Sequence, residues 1–101
     1  MAELPIRTSA GAERDLMDIW MRVAFDSPAA ADRLLGRIEQ SWHRLSAHPH
    51  SGADRSSLSP ELRSVRYGAY LSFYRVFPGE VTILRVLHGK RSITADDIPV
   101  Q

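Results

Sequence analysis

Residues 81–91 read Val-Thr-Ile-Leu-Arg-Val-Leu-His-Gly-Lys-Arg, and the first seven are all apolar or β-branched except Arg85. A nearly continuous run of this kind is typical of a strand buried on both faces, so residues 81–87 are expected to form a central strand of a sheet. Burying an unpaired charge is costly, so Arg85 is expected to pair with a helix acid such as Glu13 or Asp15.

Two further β-type segments precede this strand. The first spans residues 62–67 and is followed by Gly68. The second spans residues 70–77 and is followed by a turn around Pro78 and Gly79. Links as short as these join neighbouring strands directly, so the three segments are predicted to form an antiparallel meander.

The amino-terminal part begins with a short strand and continues as a helix. Residues 4–8 alternate apolar and polar side chains, with Pro5 marking a strand start or a sheet edge. Ser9 is a plausible helix N-cap. Apolar residues then recur at helical spacing on one predicted stripe: Ala12, Leu16, Ile19, Trp20 and Val23.

A second helix is predicted after a short break. Ser27 can cap it, and Pro28 fits its first position, where no backbone donor is needed. Its apolar stripe continues to about Ala47 and consists of Ala31, Leu34, Leu35, Ile38, Trp42 and Leu45. The short link predicts an antiparallel helical hairpin, and the Ser-, Asp- and Pro-rich residues 48–60 are predicted to form a loop.

The predicted order is therefore β-α-α-β-β-β, a two-layer α+β domain with the helical hairpin on one face of the sheet. We expect one domain over residues 1–101, because a chain of this length has room for one core. The core is expected over residues 4–91. Residues 92–101 are expected to form a polar tail with one helical turn from Thr94.

The composition is that of an ordinary globular protein, with 44% hydrophobic and 25% charged residues. The absence of cysteine excludes disulfides, thiolate zinc sites and a cysteine nucleophile. Apolar runs are far shorter than a membrane helix requires, and the amino terminus lacks a signal-peptide layout, so a cytoplasmic location is expected. His43, His48 and His50 make a weak metal candidate, and no metal or other cofactor is predicted.

The positive charge is concentrated toward the carboxyl end. Residues 61–91 hold six basic residues against two acids, whereas residues 1–60 hold seven against eight. This asymmetry fits a surface that faces an anionic partner, and a solvated strand face is the alternative.

Several short patterns, taken together, resemble the RelE/ParE toxin superfamily and its ParE branch in particular. They cover residues 4–91 in this order: Ala12-x-x-Asp15-Leu16-x-x-Ile19, Leu45-x-x-x-Pro49-x-x-Gly52, Leu62-Arg63-Ser64-Val65, Gly68-x-Tyr70, Tyr74-Arg75-Val76 and Ile83-Leu84-Arg85-Val86-Leu87-His88-Gly89-Lys90-Arg91. The resemblance implies the RelE/ParE-like fold and the toxin of a type II toxin–antitoxin pair. It further implies a ParD-like antitoxin that neutralises the toxin, and DNA gyrase as a target inhibited by binding.

Two alternatives stay open. RelE-type relatives cleave mRNA on the ribosome, and a nuclease would draw on His88 with Arg63, Arg75 or Arg85 for proton transfer and phosphate binding. The tail after Arg91 lacks the tyrosine or histidine of those nucleases and carries two acids, which disfavours this reading. The second alternative is a non-toxic binding module on the same fold.

Two surfaces are predicted to bind partners. The target is expected to contact Arg85, His88, Lys90 and Arg91. Met17 and Met21 fall off the apolar stripe of the first helix, which favours an exposed patch that an antitoxin helix would cover together with Trp20. A misjudged helix phase is the alternative explanation for these methionines.

Overall fold

The computed structural model describes residues 3–99 as a five-stranded sheet with two long helices packed on one face. The strands are β1 (Ile6–Thr8), β2 (Ala53–Asp54), β3 (Arg63–Tyr67), β4 (Tyr70–Phe77) and β5 (Glu80–His88). The helices are α1 (Ala10–Ala24), α2 (Pro28–Gln40) and α3 (Arg44–Ala47), and Ala95–Asp97 form a 3₁₀ turn. The predicted α+β class, helical hairpin and three-stranded meander are confirmed.

The sheet has the order β1-β5-β4-β3-β2. β5 therefore pairs on both sides, as its apolar sequence predicted. β1 lies parallel to β5 at the edge, with Ile6 opposite Val81 and Thr8 opposite Ile83. The edge position explains how Pro5 is tolerated just before β1: it has no N–H to donate, and its carbonyl accepts from the Val81 N–H at 2.9 Å.

Both long helices begin where the sequence predicts. The Ser9 hydroxyl accepts from the Ala12 N–H at 3.1 Å, and the Ser27 hydroxyl accepts from the Ala30 N–H at 3.1 Å. Each cap satisfies a backbone donor that has no partner within its helix. The core between helices and sheet is formed by Ala12, Leu16, Ile19, Ile38, Trp42, Leu45, Val65, Tyr74, Val81, Ile83 and Val86.

The second helix is shorter than predicted. α2 ends at Gln40, a turn follows, and α3 is a separate single turn rather than a continuation to Ala47. The Ser41 hydroxyl donates to the Ile38 carbonyl at 2.5 Å, and the Trp42 N–H reaches the Glu39 carbonyl three residues back. These bonds compete with the regular helical pattern and tighten the chain into a turn.

A bulge in β5 places its side chains on other faces of the sheet than the sequence predicts. Phe73 pairs with Arg85 but Tyr74 pairs with Ile83, so Leu84 is an extra residue on its strand. Strict alternation predicts Leu84 and Val86 on one face, whereas Val86 packs under the helices and Leu84 packs on the opposite face. The bulge shifts the alternation by one residue, which periodicity along a single strand cannot reveal.

The sheet face opposite the helices is also covered. Its apolar cluster comprises Leu62, Leu71, Phe73, Leu84, Leu87 and Ile98, with Leu58 and Ile93 packed against it. The predicted loop of residues 48–60 therefore contributes Leu58 to this cover. It also contains β2, which the sequence does not predict because two residues are too few to show an alternation of apolar and polar side chains. The tail adds Ile98, only 5% exposed, as well as the predicted turn after Thr94.

The buried Tyr74 hydroxyl anchors the loop before β2. It donates to the Pro49 carbonyl at 2.7 Å and accepts from the Gly52 N–H at 2.9 Å. Burial raises the pKa of Tyr74 above its usual value of 10.0. Gly52 has to lack a side chain, because a Cβ there would lie 2.7 Å from Tyr74 Cε1 and 2.8 Å from the Ser64 carbonyl oxygen.

We predict that Gly52→Ala lowers the free energy of unfolding by about 1–3 kcal/mol, since the added methyl group forces Tyr74 or β3 to move. Gly36→Ala is the matched control. Its Cβ would meet no atom within 4 Å, so helix propensity should stabilise α2 by up to about 1 kcal/mol. Urea unfolding of both variants measures the two effects, and equal stability would show that the loop adapts to a Gly52 side chain.

Candidate functional site

Arg85 forms a two-point ion pair with Asp15 of α1. Its Nε lies 2.7 Å from Asp15 Oδ2 and its Nη2 lies 3.0 Å from Oδ1, and Oδ2 also accepts from the Val86 N–H at 2.9 Å. The hydrogen bonds to Asp15 raise the pKa of the Arg85 guanidinium above its ordinary value. The prediction that a helix acid pairs with Arg85 is confirmed, and Asp15 rather than Glu13 is that acid.

The same guanidinium holds the tail. Arg85 Nη1 donates to the Asp97 carbonyl at 2.7 Å, while Arg91 Nη2 lies 2.6 Å from Asp97 Oδ1. The other Asp97 oxygen accepts from the Thr94 N–H at 2.9 Å. Arg85 is thus engaged on both sides by the protein itself, and its role in target binding stays a prediction.

His88 lies at the end of β5 beside an open cavity. Tyr70, its partner across the strands, packs edge-on against the imidazole with ring centroids 5.4 Å apart. His88 Nδ1 accepts from the Lys90 N–H at 3.1 Å. A cavity of about 200 Å³ is lined by His88 together with Arg22 and Arg91 and with Asp15, Asp18, Ile19, Tyr70, Val86 and Leu87.

The other two nuclease candidates lie away from His88. Arg63 pairs with Tyr74 and Arg75 with Thr82. Thr82 is six residues from His88 along β5, which corresponds to roughly 20 Å at the rise of an extended strand. The candidate residues are therefore not brought into one cluster.

Both arginines are also engaged by main-chain oxygens. Arg63 Nη1 donates to the Gly52 carbonyl at 3.0 Å. Arg75 Nε donates to the Pro60 carbonyl at 3.1 Å, and its two other nitrogens reach the Pro99 carbonyl and the Ser59 hydroxyl. These bonds tie loops and tail to the sheet.

Lys90 and Arg91 follow His88 and Gly89 in the turn that ends β5. Both are exposed, and the Arg91 N–H donates to the His88 carbonyl at 3.2 Å. The structure thus brings together three of the four residues predicted to face the target. Their function is untested and stays a prediction.

An apolar strip runs along the solvent side of α1. Met17, Met21 and Phe25 are 57%, 60% and 91% exposed, and the four-residue spacing stacks them on one side of the helix. We call these three residues the α1 strip. The predicted exposure of both methionines is confirmed. Phe25 was missed because it lies at the break between helices, although the spacing already pointed to it.

A groove between α1 and α2 adjoins the strip. It has a volume of about 520 Å³, and its lining consists of Leu16, Met17, Trp20 and Leu35 with Glu13 and Asp32 at its polar positions. Trp20, expected on the inner stripe, is half-buried and donates from Nε1 to Asp32 Oδ1 at 2.8 Å. The groove is thus an apolar channel with two acids.

Residues 3–99 contain neither a metal-binding cluster nor a membrane-spanning helix. No group of three or more His, Cys, Asp or Glu side chains in this range could hold a metal ion. Within the same residues, no helix has the length and apolar character needed to cross a membrane.

Comparison with known proteins places these features in a family. Residues 6–93 match the family model described as the ParE toxin of the type II toxin–antitoxin system parDE. Toxin ParE3 of Caulobacter vibrioides is 43% identical over 65 residues, which cover 64% of this chain and 65% of that toxin, just under two thirds of its length. Toxin RelE3 of the same organism is 35% identical over 80 residues, covering 77% of this chain and 86% of that toxin.

Solved structures share the fold. A chromosomal ParDE system from P. aeruginosa matches with a TM-score of 0.72 at 24% identity, covering 85% of this chain and 96% of that one. The RelBE2 toxin–antitoxin complex from Mycobacterium tuberculosis matches with a TM-score of 0.59 at 26% identity, covering 87% and 93%.

We predict that Asp15→Asn lowers the free energy of unfolding by about 2 kcal/mol, because a charged hydrogen bond is lost and Arg85 keeps its partly buried charge. Asp18→Asn is the matched control on the same helix, where Asp18 is exposed, and a change within about 0.5 kcal/mol is expected. Urea unfolding at neutral pH compares the two, and equal losses would contradict a special role for Asp15.

Proposed function

The chain belongs to the ParE toxin family of type II toxin–antitoxin systems, and we propose that it inhibits DNA gyrase by binding and is neutralised by a ParD-like antitoxin. The α1 strip is the observation that carries the antitoxin part of this proposal. Three large apolar side chains exposed at consecutive helical turns are costly for an isolated protein and fit a surface that a partner covers.

The antitoxin is proposed to dock on α1. An amphipathic helix laid along the α1 strip would bury Met17 and Met21, and its next row of apolar side chains would enter the groove beside Trp20. The acids Glu13 and Asp32 lie at the polar positions of that groove. Basic residues flanking the apolar face of the antitoxin helix would complement them.

Gyrase is proposed to contact the turn after β5. His88, Lys90 and Arg91 lie together there, and Lys90 and Arg91 are exposed. Arg85, predicted with them, would act by positioning, since its guanidinium binds Asp15 and the Asp97 carbonyl that fixes the tail beside this turn. A fixed tail leaves the turn in one conformation for binding.

The engagement of the arginines supports inhibition by binding over RNA cleavage. A nuclease needs cations and proton donors that converge on one phosphate. Arg63, Arg75 and Arg85 each donate to main-chain oxygens of the protein, and the first two lie far from His88 along the sheet. These three arginines therefore do not converge with His88 on one phosphate.

A RelE-like mRNA endonuclease remains the second candidate. The cavity that His88 shares with Arg22, Arg91 and Tyr70 is the observation that favours it, since it combines a titratable imidazole with two guanidinium groups. The similarity to Toxin RelE3 adds to it. The experiment below separates this candidate from the leading proposal.

We predict that the purified protein stops supercoiling by DNA gyrase in vitro and leaves ribosome-bound mRNA intact. In cells, unopposed expression should cause filamentation and DNA-damage signalling, and translation should continue at first. Cleavage of ribosome-bound mRNA with unimpaired gyrase would establish the endonuclease instead. Full viability with both targets unaffected would identify a non-toxic binding module.

We also predict that Met17→Glu with Met21→Glu weakens antitoxin binding by about 10- to 100-fold or more, because each exposed apolar contact contributes about 1 kcal/mol or more. The binding partner for this measurement is the ribbon-helix-helix protein that we expect the adjacent reading frame to encode. Isothermal titration calorimetry with the purified partner measures the loss. Met17→Leu with Met21→Leu is the matched control that keeps the apolar surface, and equal affinity of both double variants would place the antitoxin elsewhere.

A further inference from the structure

Four cations surround the end of the sheet at which β5 finishes. Arg22 is in the last turn of α1, Arg66 is near the end of β3, and Lys90 and Arg91 follow β5. All four are exposed. We call this group, together with His88, the basic end.

Contacts on both faces of the sheet join these residues. Arg66 Nη1 donates to the Gly68 carbonyl at 3.2 Å, and the guanidinium nitrogens lie 3.4 and 3.5 Å from the point that a Cβ on Gly89 would occupy. Arg66 therefore rests against the turn after β5. On the helix side, Arg22, Arg91 and His88 line the same cavity of about 200 Å³. The turn carrying Lys90 lies between the two sides.

His88 adds a ring hydrogen-bond donor to this group. Its Nδ1 accepts from the Lys90 N–H at 3.1 Å, so the proton of the neutral ring is assigned to Nε2. The ring thus presents an N–H donor, the type of group that binds a phosphate oxygen, and Tyr70 packs edge-on against it.

The nearby acids leave part of the positive charge uncompensated. Asp15 forms an ion pair with Arg85, and Asp97 Oδ1 forms one with Arg91 Nη2 at 2.6 Å. Asp18 lines the cavity with Arg22. No salt bridge to Arg66 or Lys90 occurs within residues 3–99, so these two cations are free to meet an external anion.

The cations beyond the turn proposed to contact gyrase fit a phosphate backbone. Arg22 and Arg66 are not part of that turn, and they extend the positive charge to both faces of the sheet. Arginine binds phosphate through two parallel hydrogen bonds. Cations on both faces of a sheet cannot converge on one small anion, whereas a repeating backbone can reach several of them.

We propose that the basic end binds the phosphate backbone of duplex DNA without sequence preference. The choice of DNA rests on the proposed function, since gyrase acts on DNA and would present it beside the bound toxin. The contact would add to the gyrase interface rather than replace it.

Fluorescence anisotropy with a labelled duplex of about 20 base pairs tests the proposal. Arg22, Arg66 and Lys90 are expected to neutralise about three phosphates, so the logarithm of the binding constant should fall with the logarithm of salt concentration with a slope of about −2.7. Between 50 and 200 mM salt, this slope corresponds to roughly a 40-fold loss of affinity.

Arg66→Gln with Lys90→Gln should reduce that slope to about −0.9, since each phosphate contact contributes about one unit. Arg33→Gln with Arg37→Gln is the matched control: it removes the same charge from exposed positions on α2 and should leave the slope unchanged. Equal effects of the two double variants, or a salt-independent signal, would refute the proposal. Tighter binding of a single-stranded RNA of the same length would also refute it and point to the ribosome.

Gyrase assays on the same proteins separate this inference from the proposed function. If the chain binds the duplex through the basic end but does not inhibit supercoiling, the gyrase proposal fails and the DNA contact stands. If the chain inhibits gyrase and binds gyrase without DNA, but the duplex anisotropy does not rise, the DNA contact fails and the gyrase proposal stands.

Discussion

The arrangement of α1, β5 and the tail depends on the contacts that the Asp15 carboxylate makes with Arg85 and the Val86 N–H. β1 covers β5 only from Val81 to Ile83, so the next part of that strand edge needs other partners. α1 provides them: the Ser9 hydroxyl donates to the Leu84 carbonyl at 2.9 Å, and Asp15 accepts from the Val86 N–H at 2.9 Å. Because buried backbone polar groups have to be paired, this contact fixes the register of α1 along β5.

The bulge in β5 explains why the charged Arg85 is tolerated in the most apolar strand of the sheet. Leu84 is the extra residue, and Arg85 follows it with its guanidinium between Asp15 and the Asp97 carbonyl. One side chain thus joins α1, β5 and the tail. The tail in turn places Ile98 over the sheet face opposite the helices, so that face is covered without a third layer of helices.

Most of the fold could be predicted from local patterns, whereas the failures come from contacts between distant parts of the sequence. The caps at Ser9 and Ser27 and the apolar run of β5 are signals that a few neighbouring residues carry. The pairing of Arg85 was foreseen because a charge in an apolar strand needs a partner. The bulge at Leu84 and the cover supplied by Ile98 depend on residues far apart in sequence, which leave no periodic signal.

The candidate site was predicted less completely for a related reason. Charge along the chain identified Lys90 and Arg91, and helical spacing identified the two methionines, but nothing in the sequence placed Arg66 or Arg22 beside the turn after β5. Phe25 was not predicted as part of the strip because it lies at the break between the helices, although its four-residue spacing from Met21 continues the strip. The residue types thus indicated that cations and exposed apolar side chains were present. Only the structure showed which cations lie together at the end of the sheet where β5 finishes.

α1 contributes to the core and to both proposed surfaces, and this suggests how neutralisation would work. Its inner side packs in the core through Leu16 and Ile19, its outer side carries the α1 strip, and Arg22 follows Met21 directly at the edge of the basic end. On our proposals, an antitoxin helix on the strip would lie one residue from Arg22, which is proposed to contact DNA. Steric overlap and charge compensation at Arg22 would then block the target, and no rearrangement of the toxin would be required.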